Sequence, residues 1–373
     1  MPSSAQGAPL AGVRVIDLSR LLPGPLATQH LADLGADVTK VEDLGAGDYA
    51  SPAVRALVNR NKRGLRLDLK QPAGVQTLLR LCQRADVLVE GFRPGVMARL
   101  GLGTEVLWQA NPRLVVCSIS GWGQSGPLRD LPGHDLNYAA LAGVADQMGG
   151  LSNLPLADLL GGTQTAVMGL LAALFDAART GRGRHIDAAL LDTQVAMLAN
   201  QASNHLVGGL RPKRMGNAHL NVVPYQVFAT ADGHIVLAVG NDGQFQRFCQ
   251  LNGQPEVAQD PRFATNAARI ANRDALIALL AGWMAGRTTA QWTALLEPNA
   301  VPCAPILELP EVFQHPQVLA RGMKIDHHGI PTVPTPMRFD GQRPVAELRP
   351  PQLDEHGDAL RAALARGEGW PQR

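Results

Sequence analysis

Aromatic residues are scarce in this chain, with eight Phe, five Trp and three Tyr making up 4% of 373 residues. Nucleic-acid surfaces stack bases on aromatic side chains beside clustered Lys and Arg. Nothing of that kind stands here, and 34 basic against 32 acidic residues leave a formal charge of +2. Long apolar runs are missing too. The best candidate, AVMGLLAALFDAA (166–178), is interrupted by Asp176, short of the roughly 18 residues that read as a membrane span. No charged segment followed by an apolar one marks a secretory leader at the N-terminus. These absences imply a cytoplasmic protein with no nucleic-acid and no membrane partner. Cys82, Cys117, Cys249 and Cys303 lie far apart without CxxC or CxxH spacing, which argues against zinc and for free thiols in a reducing compartment. No GxGxxG follows the first strand-like run, so no nicotinamide or flavin cofactor is expected.

What is present is the pattern of a globular protein too long for one ordinary core. The residues MPSSAQGA at the start and GEGWPQR (367–373) at the end read as frayed ends. Between them, short β-branched runs at 13–19, 36–42, 86–92 and 113–123 alternate with helical patterns at 25–35, 72–85 and 103–112. Strand and helix at this spacing predict a parallel α/β sheet, with ligands bound beyond the carboxyl ends of its strands. Helices are expected at 162–180 and 185–208, whereas 209–224 loses all periodicity and reads as a linker. A hairpin around Asp232-Gly233 is expected over 225–240, followed by helices at 243–252 and 273–297. A last helix is expected at 354–366. The organisation predicted is a large Rossmann-like α/β domain over 1–208, completed by 325–373, and a small α+β domain over 225–324.

From GVRVIDLSRLLPGPLATQHLADLGADVTKVE onward the chain resembles the class III CoA-transferase family, which also contains the α-methylacyl-CoA racemases. NRNKRGLRLDLKQPAG (59–74), ADVLVEGFRPGVMARLGLG (85–103), NPRLVVCSISGWGQSGP (111–127), GHDLNY, LADLLGG and VPYQVFATADGHIVLAVGNDGQF (223–245) carry the resemblance in order. It implies a homodimer of interlocked rings, a coenzyme A thioester and a carboxylic acid as substrates, and no permanently bound cofactor.

The basic cluster Arg60, Lys62, Arg63, Arg66 and Lys70, with Arg93 and Arg99 further on, offers charge and hydrogen-bond donors to phosphates; on residue type alone it could equally be a solvated face. The resemblance places Leu67, Lys70, Phe92 and Arg99 at CoA, with Arg93 beside them. Asp43 stands where transferase relatives often have an Arg that holds the nucleotide. Asp158 matches the aspartate that, in the family's transferases, attacks the acyl-CoA thioester and passes through an acyl–aspartyl anhydride to an aspartyl-CoA thioester. Gly161 and Gly162 beside it would let backbone N–H groups approach an oxyanion. Local chemistry alone also allows Asp158 to be the N-cap of the 162–180 helix. His134, in GHDLNY, is racemase-like, as is Leu22, where several transferases carry a Gln that binds the acyl group. In the racemases the His and the distal Asp exchange the α-proton of a 2-methylacyl-CoA. Asp242 occupies the column of a racemase glutamate that supports the His. Gly240 and Gly243 match the transferase loop that covers the aspartyl anhydride. Both chemistries stand open on these residues.

Overall fold

The computed structural model describes residues 8–45, 49–150, 153–344, 347–368 and 370. Residues 1–7 and 371–373, most of the two expected frayed ends, lie outside them. The chain divides into two units, Met1–Ala145 with Leu151–Ala199 and Leu319–Arg373, and Asp146–Gly150 with Asn200–Val318.

The first unit is built on six parallel strands: β1 (Arg14–Asp17), β2 (Asp37–Glu42), β3 (Lys62–Arg66), β4 (Val87–Glu90), β5 (Val115–Ser120) and β6 (His185–Ala189), in the order β3-β2-β1-β4-β5-β6. Strands such as VLVE and VVCSIS are apolar on both faces because helices cover both sides of the sheet. Val15, Val87, Val89, Val115 and Cys117 pack toward the helices Pro23–Asp33 and Ala166–Thr180. Their neighbours Ile16, Leu88 and Val116 pack toward Pro72–Cys82, Thr104–Ala110 and the C-terminal helix Gly357–Ala365. The order reverses between β1 and β4, which opens a crevice at the strand ends.

Two strands differ from the sequence reading. β3 is the stretch KRGLR, part of the basic cluster that residue type alone offers either to phosphates or to solvent, and its Lys62 and Arg63 are buried instead. Lys62 is fully buried and donates to Asp17 (2.9 Å), Pro25 C=O (2.8 Å), Thr28 (2.9 Å) and Asn59 (3.1 Å). Arg60 grips Asp33 through two hydrogen bonds of 2.7 and 3.2 Å, and Arg63 pairs with Asp37 at 2.8 Å. The outer edge of β3 is covered by the C-terminal segment, where His356 N–H donates to Gly64 C=O and Gly64 N–H to His356 Nδ1. A side chain at Gly64 would strike Gln352 C=O at 2.8 Å. β6 occupies the first five residues of the expected 185–208 helix, because pairing with β5 overrides a local pattern that suits a helix. Gly183 makes the approach possible: a Cβ there would lie 2.0 Å from Leu114 C=O. The tail GEGWPQR is anchored at Trp370, which is buried, donates to Asp37 (2.8 Å) and lies under Arg63.

The second unit holds an antiparallel sheet, β7 (Tyr225–Ala229), β8 (His234–Ala238) and β9 (Cys303–Pro305), over a core of Phe228, Leu237, Phe245, Phe248, Leu280 and Trp292. The expected 273–297 helix is two helices, Arg273–Met284 and Thr289–Leu296. Thr288 and Gln291 form a capping box that starts the second one, and Arg287 in the break lies over Trp292 and donates to Asn252 (2.8 Å).

Asp17 is the charged centre of the first unit. Burial opposes its ionisation, but Lys40, Lys62, Ser19 and Thr28 outweigh burial and hold its pKa well below the usual carboxylate range. A carboxylate depressed in this way adds stability above its unfolded pKa, and that stability is lost as pH falls below it. Removing one partner of a buried pair typically costs about 3–5 kcal/mol. Urea denaturation should show Asp17→Asn destabilised by about that much at pH 7, with a shallower loss of stability below about pH 4 than the parent protein.

Candidate active site at the sheet switch point

Two cavities open where the strand order reverses. The larger, about 510 Å³, is lined by residues following β1, β2, β3 and β4, among them Arg20, Asp43, Tyr49, Leu67, Lys70 and Phe92. The smaller, about 340 Å³, is lined by Arg20, Phe92, Arg93, Arg129, His134, Tyr138 and Asp158, together with the glycines of the surrounding loops. Arg20 and Phe92 line both. The loop from β1 to the next helix turns sharply to make this wall: Leu21 is left-handed (φ +66°), and a Cβ on Gly24 would lie 2.3 Å from that of Ser19.

Asp158 lies in the first turn of a π-helix, Ala157–Thr165, which runs directly into Ala166–Thr180. The helix therefore begins five residues earlier than the sequence pattern suggests, and Asp158 makes no cap bond. Among the described residues its carboxylate accepts no hydrogen bond. The wide turn is closed by hydroxyls: Thr163 donates to Asp158 C=O (3.1 Å) and Pro23 C=O (2.9 Å), and Thr165 to Leu160 C=O (2.9 Å). Gly161 and Gly162 have a packing reason. A Cβ at 162 would lie 2.4 Å from Pro23 Cβ, and one at 161 would lie 3.1 Å from Leu190 Cα.

The electrostatics of Asp158 are unusual for a carboxylate. Burial first, and the neighbouring Asp135 second, push its pKa up to about 6, partly offset by His134. Asp135 also accepts the Asp158 N–H (3.0 Å). Tyr138 is pushed up to about 12 by burial and by the same two carboxylates, so its hydroxyl keeps its proton at neutral pH. His134 caps the helix Asp135–Leu141, with its N–H bound to Asn137 (2.9 Å) and its side chain exposed at the cavity.

The sequence-predicted residues fall into three groups. Asp158 and His134 share the smaller cavity with Arg93. Leu67, Lys70 and Phe92 share the larger one, while Arg99 is exposed on the short helix Val96–Arg99 beside it. Of the basic cluster, Lys70 alone lines a cavity. Arg60, Lys62 and Arg63 are buried in ion pairs, and Arg66 holds the carbonyls of Asp43 (2.9 Å) and Gly45 (3.1 Å). Asp43 binds Arg20 at 3.0 Å and accepts from Tyr49 at 2.9 Å. Leu21, rather than Leu22, faces the smaller cavity.

In the second unit Asp242 is held by the buried Arg269 (2.7 Å). Gly243 is not in a loop but in the first turn of the helix Asp242–Leu251, capped by Asn241, and Gly240 N–H donates to Gln244 (2.7 Å). The sequence reading passed over Arg20, Arg129, Asp135 and Tyr138. Arg20 had a usable signal, since it directly follows the strand-like VIDLS, where α/β sheets place ligand contacts.

The profile of CoA-transferase family III matches residues 10–357. The chain is 41% identical to the succinate–glutarate CoA-transferase of Agrobacterium fabrum, over 95% of this chain and 96% of that protein. It is 38% identical to the acetyl-CoA:oxalate CoA-transferase of Acetobacter aceti, over 98% of each. Among solved structures, a CAIB/BAIF family protein from Brucella suis superposes with a TM-score of 0.83 at 41% identity, covering 96% of this chain and 99% of that one.

The close packing at Gly162 gives a direct test of the Asp158 turn. Gly162→Ala forces a methyl onto Pro23, and thermal melting should show a loss of about 1–3 kcal/mol, the usual range for overpacking.

Proposed function

Because the chain belongs to CoA-transferase family III and is an enzyme that moves coenzyme A between an acyl-CoA and a carboxylic acid, we propose that Asp158 is its covalent carrier and that dicarboxylates are its acceptors. The observation that carries this is the carboxylate of Asp158 itself. It is half-buried, without a hydrogen-bond donor among the described residues, exposed to a cavity, and raised to about 6. Such a group is ionised at neutral pH yet more basic than an ordinary carboxylate, as a nucleophile should be.

The steps balance as follows. An Asp158 oxygen attacks the thioester carbonyl, the C–S bond breaks, and the CoA thiolate leaves behind an acyl–aspartyl anhydride. The thiolate then attacks the aspartyl carbonyl, releases the donor acid and forms an aspartyl-CoA thioester. The acceptor carboxylate attacks that carbonyl in turn, expelling the thiolate, which takes the acceptor's acyl group and frees Asp158. The larger cavity, with Lys70, Leu67 and Phe92, suits the nucleotide and pantetheine of CoA; Arg93 and Arg99 flank it. Phe92 and Arg20 then stand where the pantetheine would cross from one cavity to the other. We assign His134 a supporting role: its interaction with Asp158 favours the ionised carboxylate. The transferase names of the relatives favour transfer over α-proton exchange, for which His134 and Asp158 would have to act as paired bases. The acceptors of those relatives, glutarate and oxalate among them, support a dicarboxylate here.

The enzyme fits a reducing, cytoplasmic setting, its four free cysteines lacking any metal-ligand grouping among the described residues. The interlocked dimer is supported by apolar side chains left uncovered in the single chain, such as Met168, Phe175, Leu206 and Val207. Light scattering should give twice the 39.6 kDa chain mass.

Asp158→Asn should lower turnover by on the order of 10⁴-fold or more, and hydroxylamine or borohydride should modify Asp158 only when acyl-CoA is present. Undiminished turnover in that variant would remove Asp158 from the chemistry. Activity should fall as pH drops through about 6, the point at which Asp158 takes up a proton. Asp135→Asn should move this acid limb to lower pH, and His134→Ala should move it higher; a pH–kcat/KM profile reads both. Deuterium wash-in at the α-carbon of a 2-methylacyl-CoA should be absent.

A further inference from the structure

We propose that Arg129 is a specificity residue that binds the second, unreacting carboxylate of the acid substrate. The proposal rests on the reading of Asp158 as carrier of a dicarboxylate, and it assigns the group that selects that class. Three arginines line the reaction cavity, Arg20, Arg93 and Arg129. Arg20 is engaged: Asp43 binds it at 3.0 Å, and it lies over the rings of Tyr49 (5.1 Å) and Phe92 (5.4 Å). Arg93 directly follows Phe92, which lines both cavities, and so stands on the side where CoA would pass. Arg129, like Arg93, lines the cavity of Asp158 and is absent from the wall of the larger one, but it lies on the loop that carries His134 rather than beside Phe92.

The partner that Arg129 has is weak. Asp130, its neighbour in sequence, touches it at 3.4 Å through a carboxylate side chain that is 79% exposed, and surface pairs of this kind hold little energy. Its planar fork is therefore available for a two-point carboxylate contact, the geometry at which arginine excels. Placement supports the same role. Arg129 lies five residues before His134 on one loop. A donor or acceptor with a second negative charge must enter a cavity that already holds the Asp158 carboxylate. A cation across that cavity offsets the repulsion and fixes which end of the acid faces Asp158.

The test uses the full-length enzyme and its Arg129→Gln and Arg129→Lys variants, with melting temperatures as a folding control. Acetyl-CoA, which has no second carboxylate, serves as donor. The acceptors are succinate, glutarate and mesaconate, each beside the monocarboxylate of equal carbon number. In Arg129→Gln the kcat/KM preference for the best dicarboxylate over its monocarboxylate partner should collapse by about tenfold or more, through the acceptor KM. Arg129→Lys should recover part of it, since charge without the fork remains. An unchanged preference overturns the proposal. So does a rise in the acetyl-CoA KM with the preference intact, which would make Arg129 a phosphate contact. A parent enzyme with no preference for dicarboxylates overturns it as well. Asp158→Asn in the same assay keeps the two ideas apart: undiminished turnover there removes the carrier reading, whatever Arg129 does.

Discussion

The C-terminal end of β1 carries a carboxylate that two lysines reach from the two strands on one side of it. Asp17 receives Lys62 from β3 at 2.9 Å and lies 3.6 Å from Lys40 of β2, and Lys40 also donates to Ser19 C=O. All three side chains are buried. An excess positive charge in a protein interior is tolerable only when each ammonium finds oxygens. Here they are the carbonyls of Ser19 and Pro25, which bracket the Leu21–Gly24 turn. The loop that forms the wall of both cavities is thus tied at each end to the ion cluster beneath it. Charge inside the sheet sets the shape of the space above it.

From that base the site divides its labour between two openings. The larger has the mixed lining that a long, partly charged and partly apolar molecule needs, while the smaller gathers the groups with shifted protonation. Burial and the nearby Asp135 raise the pKa of Asp158, and burial with these two carboxylates raises that of Tyr138. Crowding two carboxylates in this way leaves Asp158 more basic than an ordinary carboxylate.

Much of this was legible in the sequence wherever local pattern and tertiary demand agree. The alternation that gave β1, β2, β4 and β5 comes from strands apolar on both faces. The pair GHDLNY and LADLLGG pointed to one site, and His134 and Asp158 do line one cavity. Legibility failed where partners lie far away along the chain. KRGLR looks like a solvated surface until Asp17, Asp33 and Asp37 are set beside it, and HIDAA looks helical until β5 pairs with it. The break at Arg287 depends on Trp292 and Asn252. Arg129 carried no local signal, because its meaning comes from the cavity that a separate helix completes.

The π-helical turn at Ala157–Thr165 has a geometric consequence. An α-helix advances by about 100° per residue, and a π-turn holds one residue more than the α-turn it replaces. The segment ahead of the bulge is therefore out of phase with the segment behind it. Ala166, Val167, Leu170, Ala173 and Ala177 keep one apolar stripe on the sheet, while Asp158 is rotated off that stripe toward the open side. Core packing and the orientation of Asp158 can then change independently along one continuous helix, since the phase offset between them is absorbed in the π-helical segment that Thr163 and Thr165 pin shut.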